Sequence, residues 1–559
     1  MTAGTYWRTV DNFRATASAD PQREALLFAT SRGSRALPNY RALTYRELDN
    51  WSDVVAERLT AARVSSGTRV IVLVLPGPEL YAIMLGLFKI GAVPVVIDPG
   101  MGVRRMLRCL RCADAEVFIG MPRAHAARVA FRHYFRSVRV LVTVGRRWIW
   151  TGETLSQWGR TPAASRPHPR LPAPDHAPLL VAFTTGSTGP AKAVELTHGN
   201  LTAMVDQVHD ARDRVPPDTS LITLPLVGLL DLLLGSRCVL PPLVPGRVGC
   251  TDPAHVVDAI TRFGVRTLFA SPAVLIPLLA HLRRSRARLP SLWSVFSGGA
   301  PVPDWCVAGL RAVLEPHAQV FAGYGSTEAL PMATIESREL FSGPSDHAHI
   351  GYGTCLGRPA SGVRARIVAV TDDPIPTWAD AQARASELAA TRGIGELVVS
   401  GPNVSTRYYW PPAANTTGKI TDGSEIWHRT GDLAWIDGDS RIWFCGRKSQ
   451  RVETSAGPMF TVQVEQIFNV VPGVARTALV GIGRVGAQHP VLCVELEAGA
   501  NRPAVEAALR ARRAQFDLTT PITEFRFHPS FPVDIRHNAK IGREQLAHWA
   551  ARRRSADGR

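Results

Sequence analysis

The sequence predicts an α/β fold on mainly parallel sheet, followed by a small β-rich unit and a shorter α/β unit at the C-terminal end. Three observations carry that expectation. Between about residues 43 and 145, short apolar β-branched runs alternate with helical patterns, and the rhythm returns between 256 and 296. From about residue 351 the runs shorten and turn residues separate them. The length, 559 residues, suffices for about two to four domains with a sizeable core.

Taken in order, residues 43–59 open with Leu43-Thr-Tyr-Arg-Glu-Leu and keep the spacing of an amphipathic helix. The run 70–75 suits a strand buried on both faces, 79–90 a helix, and 93–97 a strand closed by the Asp98-Pro-Gly breaker. A Pro/Ala/Arg-rich linker covers 159–178, and 179–183 is a strand. Helices at 256–263 and 273–282 alternate with strands at 267–269 and 294–296. Short strands are expected at 364–370, 395–400 and 441–445, a last α/β unit at 462–549, and a frayed basic tail at 550–559.

Basic residues outnumber acidic ones by 64 to 47, a net charge of +17. Such a balance raises nucleic acid or an anionic membrane as a partner. Its make-up points elsewhere: 59 of the basic residues are arginine, and only Lys89, Lys192, Lys419, Lys448 and Lys540 are lysine. Selection for phosphate binding would not exclude lysine, itself a good phosphate partner. A G+C-rich coding bias explains the shortage better, and the surviving lysines then mark places that need a compact ammonium. One local concentration, Arg123, Arg128, Arg132, Arg136, Arg139, Arg146 and Arg147 with Phe131, Tyr134 and Phe135 interleaved, comes without any nucleic-acid motif. Nucleic acid is therefore not expected as a partner; a weak association with a membrane surface is.

The N-terminus lacks a basic segment followed by an apolar one, and the apolar stretches 70–88 and 221–244 are interrupted by prolines and charges. The eight cysteines are scattered, with a lone Cys109/Cys112 pair at CxxC spacing. The expectation is a cytoplasmic protein whose thiols are structural.

After the strand at 179–183 comes Thr184-Thr185-Gly186-Ser187-Thr188-Gly189-Pro-Ala-Lys192. Two glycines and four hydroxyl residues expose backbone N–H groups and hydroxyl donors, and the lysine adds a point charge: the parts that hold a polyphosphate. The spacing is not that of a Walker A loop.

The loop resembles the signature of the adenylate-forming superfamily of acyl- and aryl-CoA ligases, luciferases and peptide-synthetase adenylation domains. Eight further motifs follow that family's order: Leu43-Thr-Tyr-Arg-Glu-Leu, Phe88-Lys-Ile-Gly-Ala-Val-Pro-Val, Ser297-Gly-Gly299-Ala300-Pro301, Gly323-Tyr324-Gly325-Ser326-Thr327-Glu328, Gly395-Glu-Leu with Gly401-Pro and Tyr408-Tyr, Arg429-Thr-Gly-Asp432, Gly446-Arg447, and Asn538-Ala-Lys540-Ile. The resemblance implies a large N-terminal domain, 1–446, of two α/β sheet subdomains plus a small β-barrel-like subdomain at about 351–446. A mobile α+β domain, 447–559, follows and carries the catalytic lysine, Lys540. ATP and Mg²⁺ are the implied cofactors. The loop and Lys192 would hold phosphates, and Glu328 with Thr188 the metal. The segments 299–301 and 323–327, with Asp432 and Arg447, would hold adenine and ribose, and Lys448 and Ser449 would form the hinge.

Three departures sharpen the reading. The position three after Gly446, where the family keeps a charged hinge residue, is Ser449. No proline closely precedes Glu465 in the region that builds the pantetheine tunnel of CoA ligases. The family's Leu-Pro-Leu-Phe-His segment becomes Leu224-Pro-Leu226-Val-Gly-Leu-Leu230-Asp231, without histidine. These stretches, together with Trp443-Phe-Cys-Gly-Arg-Lys-Ser and Phe531-Pro-Val-Asp-Ile-Arg-His537, look like the β-lactone synthetase branch. That resemblance implies adenylation of a 2-alkyl-3-hydroxy long-chain fatty acid, ring closure by its own hydroxyl, and upstream partners of thiolase-like and reductase type. Leu226, Leu230, Asp231, Leu330 and His537 are candidate substrate-pocket residues. A fatty-acyl-CoA ligase or fatty-acyl-AMP ligase acting with CoA or a carrier protein is the competing expectation.

Overall fold

The computed structural model describes residues 8–30, 37–97, 101–160, 174–184, 191–211, 218–244, 246–533 and 541–557. Two large sheets dominate. The first has eight strands, in the order Tyr408–Trp410, Lys192–Thr197, Pro178–Thr184, Val93–Ile97, Arg69–Leu73, Val117–Gly120, Val140–Thr143 and Glu153–Thr154. Its interior pairs are parallel, and the edge nearest Lys192 is antiparallel. The second has nine strands, parallel through Ser294–Ser297 and Gln319–Ser326, with Ala329–Glu336 returning antiparallel. The expected strands at 70–75 and 93–97 appear as Arg69–Leu73 and Val93–Ile97.

The helices Tyr45–Ala61 and Pro78–Lys89 lie between the two sheets in one apolar cluster that holds Leu26 of the nine-stranded sheet and Val70 and Val117 of the eight-stranded one. Thr44 starts the first helix with a capping box, its side chain accepting from Glu47 N while the Glu47 carboxylate accepts from Thr44 N. The second helix is apolar on all sides because it is enclosed. A Cβ at Gly86 would stand 2.7 Å from Val55 Cγ1 and 2.9 Å from Ser52 O, so the two helices approach at a glycine.

Lys89 sits inside this contact. Its Nζ reaches Asp49 Oδ1 at 2.5 Å, Ser52 Oγ at 2.6 Å and Asp53 Oδ1 at 2.8 Å, with Arg14 Nη2 on the same Asp53 oxygen at 2.9 Å. The motif lysine is thus a structural cation.

A six-stranded antiparallel sheet follows, containing Arg364–Val368, Gly395–Ser400, Glu425–Ile436 and Ile442–Arg447. Beyond it, Val474–Ile482, His489–Leu496 and Glu524–Phe527 form a three-stranded sheet flanked by helices. The tail differs from expectation: the helix Arg543–Asp557 runs through most of it. Leu546 and Ala550, both fully buried, pack it on Val480 and Val491 of that sheet, and this anchor outweighs the repulsion of the basic run. Among the described residues no helix is long and apolar enough to cross a membrane.

Replacing Lys89 by methionine leaves two carboxylates, Asp49 and Asp53, facing Arg14 as their one remaining cation among the described residues, at an expected cost of about 3–5 kcal/mol. Urea unfolding of wild type and Lys89→Met reads this directly, and equal midpoints would contradict the structural role.

Candidate active site

Two strands of the nine-stranded sheet build the first wall. At the end of Ser294–Ser297 the chain turns through Gly298 and Gly299. A Cβ on Gly298 would lie 3.1 Å from Gly323 O, and Gly299 holds φ +81°. Side chains are therefore excluded here and the peptide edge stays open, as the adenine-side motif requires. Ala300 and Pro301 continue this turn. The neighbouring strand Gln319–Ser326 carries Tyr324, whose hydroxyl donates to Asp432 Oδ2 at 2.5 Å. Asp432 lies on Glu425–Ile436 directly across from Arg447, and Arg447 Nε meets Asp432 Oδ1 at 2.8 Å. Burial, then the Asp432 charge, holds the Tyr324 phenol well above its ordinary value, so it remains a donor.

Glu328 follows on the hairpin between Gln319–Ser326 and Ala329–Glu336, its N–H donating to Ser326 Oγ at 3.2 Å. Its carboxylate accepts from the Tyr408 hydroxyl at 2.9 Å. Burial alone would raise its pKa, but the hydrogen bonds from Ser326, its own backbone N–H and Tyr408 favour the carboxylate and hold it below its ordinary value. Tyr408 belongs to the edge strand that pairs with Lys192–Thr197, and Lys192 Nζ lies 4.9 Å from its ring centre. One tyrosine therefore brings Lys192 and Glu328 together. Thr184 and Lys192 face each other across the antiparallel pair that brackets the loop, with Thr184 Oγ1 3.5 Å from Lys192 O. Thr185, Gly186, Ser187, Thr188 and Gly189 lie outside the described residues, as do His537 and Lys540.

The ends of the segment that bears Lys540 are nonetheless fixed. Val533 bridges Ile541, Gly542 N donates to Pro532 O at 2.7 Å, and Arg543 pairs with Glu465 at 2.7 Å and donates to Gln450 Oε1 at 3.1 Å. Glu465 also accepts from Leu479 N at 2.7 Å, so this buried carboxylate ties the helix Thr461–Phe468, the three-stranded sheet and the Lys540 segment together.

At the expected hinge, Lys448 is held rather than loose. Glu396 Oε2 accepts from Arg429 Nη2 at 2.6 Å and Lys448 Nζ at 3.1 Å, and Lys448 also donates to Thr371 O at 2.9 Å. Ser449 is exposed on the short turn Lys448–Gln450.

Among the candidate pocket residues, Asp231 is 1% exposed and accepts from Ser220 Oγ at 2.6 Å. Leu230 is core, Leu226 is exposed, and Leu330 is half-buried beside the same core.

Two side chains at the centre of this arrangement were given no role by the sequence. Tyr408 stood in a motif without one. Lys419, unassigned there, is buried below the site, donates to Ser405 O and lies 5.2 Å from the Tyr408 ring centre. Burial, helped by nearby Lys192 and opposed by Glu328, lowers its pKa to about 7. Beside it His428, bonded to Gly418 O at 3.2 Å, is held neutral, its pKa lowered to about 3 by burial and by Lys419. The rarity of lysine was the one sequence signal for Lys419.

The donor set fits Mg²⁺ and nucleotide. Among the described residues no three His, Cys, Asp or Glu side chains gather into a metal cage. A buried carboxylate such as Glu328, its pKa lowered, is the kind of single protein oxygen Mg²⁺ uses when phosphate and water supply its other oxygens.

The depressed Lys419 pKa sets a pH signature. The unfolded chain binds this proton up to about pH 10.5 and the folded chain only up to about pH 7. Wild type should therefore gain stability relative to Lys419→Met as pH rises from about 7 to about 10. Unfolding of both proteins across that window, with parallel curves as the contrary result, is the check.

Residues 13–409 match the family described as AMP-binding enzyme. The chain is similar to the olefin beta-lactone synthetase of Stenotrophomonas maltophilia, 44% identical over 91% of each chain. It is likewise similar to the olefin beta-lactone synthetase of Xanthomonas campestris pv. campestris, 42% identical over 96% of each. Among solved structures, the amide bond synthetase McbA from Marinactinospora thermotolerans shares the fold, with a TM-score of 0.76 at 22% identity, covering 97% of this chain and 99% of that one.

Proposed function

Because the chain belongs to the AMP-binding enzyme family, we propose that it is an ATP-dependent β-lactone synthetase acting on a 2-alkyl-3-hydroxy long-chain fatty acid. The observation that carries this reading is the 44% identity to an olefin beta-lactone synthetase over nearly the whole chain. The departures at Ser449 and before Glu465 agree with it, because an acceptor inside the substrate needs no pantetheine tunnel.

In the first step a carboxylate oxygen attacks the α-phosphorus of ATP and pyrophosphate leaves. Lys192 and the loop 184–189 hold the phosphates, Tyr324 offers its face to adenine, and Asp432, oriented by Tyr324 and Arg447, accepts the ribose hydroxyls. Glu328 supplies the protein oxygen for Mg²⁺, which when bound neutralises charge on the phosphates. Lys540 bridges the carboxylate and the α-phosphate oxygen, offsetting charge as the bond forms. In the second step the 3-hydroxyl oxygen attacks the acyl carbon, its proton leaves, and AMP departs as the four-membered ring closes. The ring is strained, but the mixed anhydride is activated and the nucleophile is tethered, at an effective molarity that reaches on the order of 10⁵ M or more in well-oriented systems.

Residues 447–559 act as the mobile domain, turning about Lys448 and Ser449 to bring Lys540 in and out. The substrate's branched 3-hydroxy acid skeleton calls for a condensing enzyme of thiolase type and a reductase upstream. A waxy acid also favours a cytoplasmic enzyme that visits a membrane surface.

Incubation with ATP, Mg²⁺ and a 2-alkyl-3-hydroxy acid, without CoA, should yield β-lactone visible by NMR. Acyl-AMP alone, or a thioester formed only on adding CoA, would favour the ligase reading instead. Lys540→Ala should abolish pyrophosphate release while ATP binding, followed by calorimetry, stays within about a few-fold of wild type. Unchanged turnover would overturn the assignment of Lys540.

A further inference from the structure

The eight-stranded sheet has an inner and an outer face. Along Arg69–Leu73, Val70 and Val72 point into the core shared with the nine-stranded sheet, while Ile71 joins an outer cluster with Leu107, Leu110, Phe118 and Phe135. Two helices cover this outer face, Val103–Cys112 and Pro122–Ala130. The first lays Leu107 and Leu110 on the sheet and turns Arg104, Arg105, Arg108 and Arg111 to solvent. It packs on the short turn Arg132–Tyr134 that follows the second helix, so the basic surface is continuous.

At the end of this face the segment after Val140–Thr143 raises two large apolar side chains into water. Trp148 is 55% exposed and Ile149 88%. Their base is braced. Trp148 lies 5.5 Å from Trp150; the buried Trp150 stacks on His125 of Pro122–Ala130 at 5.1 Å and 8°, and its Nε1 donates to Thr143 Oγ1 at 2.9 Å. Exposed Phe131 and Val129 end the same helix.

Charge gives the face its partner. Residues 101–152 contain eleven arginines and two acids, a local excess of nine out of the chain's seventeen. Both acids, Asp114 and Glu116, are engaged by arginines, Arg69 at 3.2 Å and Arg139 at 2.9 Å. A braced Trp–Ile tip beside exposed guanidinium groups matches a surface that is anionic outside and apolar beneath. Nucleic acid would use the arginines and leave Ile149 in water.

We propose that Trp148 and Ile149, with the arginines on this outer face, dock the enzyme on an anionic lipid bilayer, the two apolar side chains entering at headgroup level. The proposal rests on the lactone reading only for its purpose, delivery of a waxy acid.

The experiment is co-sedimentation of the full chain with phosphatidylglycerol-containing vesicles and with pure phosphatidylcholine vesicles, at low and high salt. Binding to the first and not the second, with partitioning weakened by about tenfold in Trp148→Ser/Ile149→Ser and likewise in Arg104→Glu/Arg108→Glu, supports docking. Unchanged thermal unfolding of both variants confirms that the fold is intact; should the tip variant unfold early, the arginine variant and the lipid selectivity decide. No sedimentation with anionic vesicles at low salt would overturn the proposal. So would binding that is indifferent to both variants, or equal binding to an oligonucleotide that the tip variant retains. The assay contains no ATP or hydroxy acid, so failure to form lactone and failure to bind vesicles are separate results.

Discussion

The site depends on a three-residue edge strand. Tyr408–Trp410 pairs with Lys192–Thr197 and so adds itself to the edge of the eight-stranded sheet. From that position the Tyr408 hydroxyl reaches Glu328 on a hairpin of the nine-stranded sheet, and its ring lies within about 5 Å of both Lys192 and Lys419. Lys419 itself belongs to a strand of the six-stranded sheet. One phenol thus touches groups from all three sheets. It must stay protonated to do so, and burial followed by the Glu328 charge ensures that it does. Because Tyr408 only donates, it takes one lone pair of the carboxylate and leaves the others for a cation.

Buried charge is used elsewhere for placement. Replacing a buried ion pair by apolar groups is often neutral or stabilising, so its value lies in what it orients. Glu396 shows this. A single carboxylate oxygen takes Arg429 and Lys448, while its other oxygen accepts from Gly431 N at 3.3 Å. The turn before Asp432 and Lys448 are thereby set by the same group. Beyond the turn Lys448–Gln450, Glu465 has the corresponding position between Leu479 N and Arg543. Asp432 and the residues flanking the Lys540 segment are each referred to a buried acid, and the turn Lys448–Gln450 connects the two.

What could be read in the sequence was whatever depends on neighbours along the chain. Periodicity placed the strands and the helix after Thr44, and motif spacing singled out Tyr324, Glu328, Asp432 and Lys192 as candidates. The pairs that join distant residues were not legible. Tyr408 and Glu328 are 80 positions apart, and Glu465 and Arg543 are 78. The tail was misread for a related reason. Leu546 and Ala550 carry the helical spacing, but the sheet they bury against is built from residues about 60 positions earlier, and without it the basic run dominates. Asp231 was legible as an anomaly in an apolar segment. Only its contact with Ser220 reveals that the anomaly is resolved inside the core.

The lysines finally explain why arginine could replace them almost everywhere else. Lys89 donates to two carboxylates, a hydroxyl and a main-chain oxygen around one nitrogen. Lys448 serves Glu396 and Thr371 O, and Lys419 reaches a carbonyl from beneath a tyrosine ring. In each niche the partners surround a point, and a planar guanidinium presents its donors in a fork rather than a cone. Lys419 adds a second reason: arginine does not lose its proton, whereas burial lowers the Lys419 ammonium to a pKa of about 7, so it can shed its charge inside the protein. The same coding pressure that leaves surface positions free to become arginine is therefore resisted where the cation is enclosed. On the outward side of the helix Val103–Cys112, Arg104, Arg105, Arg108 and Arg111 stand exposed, and arginine accumulates there without cost to the fold.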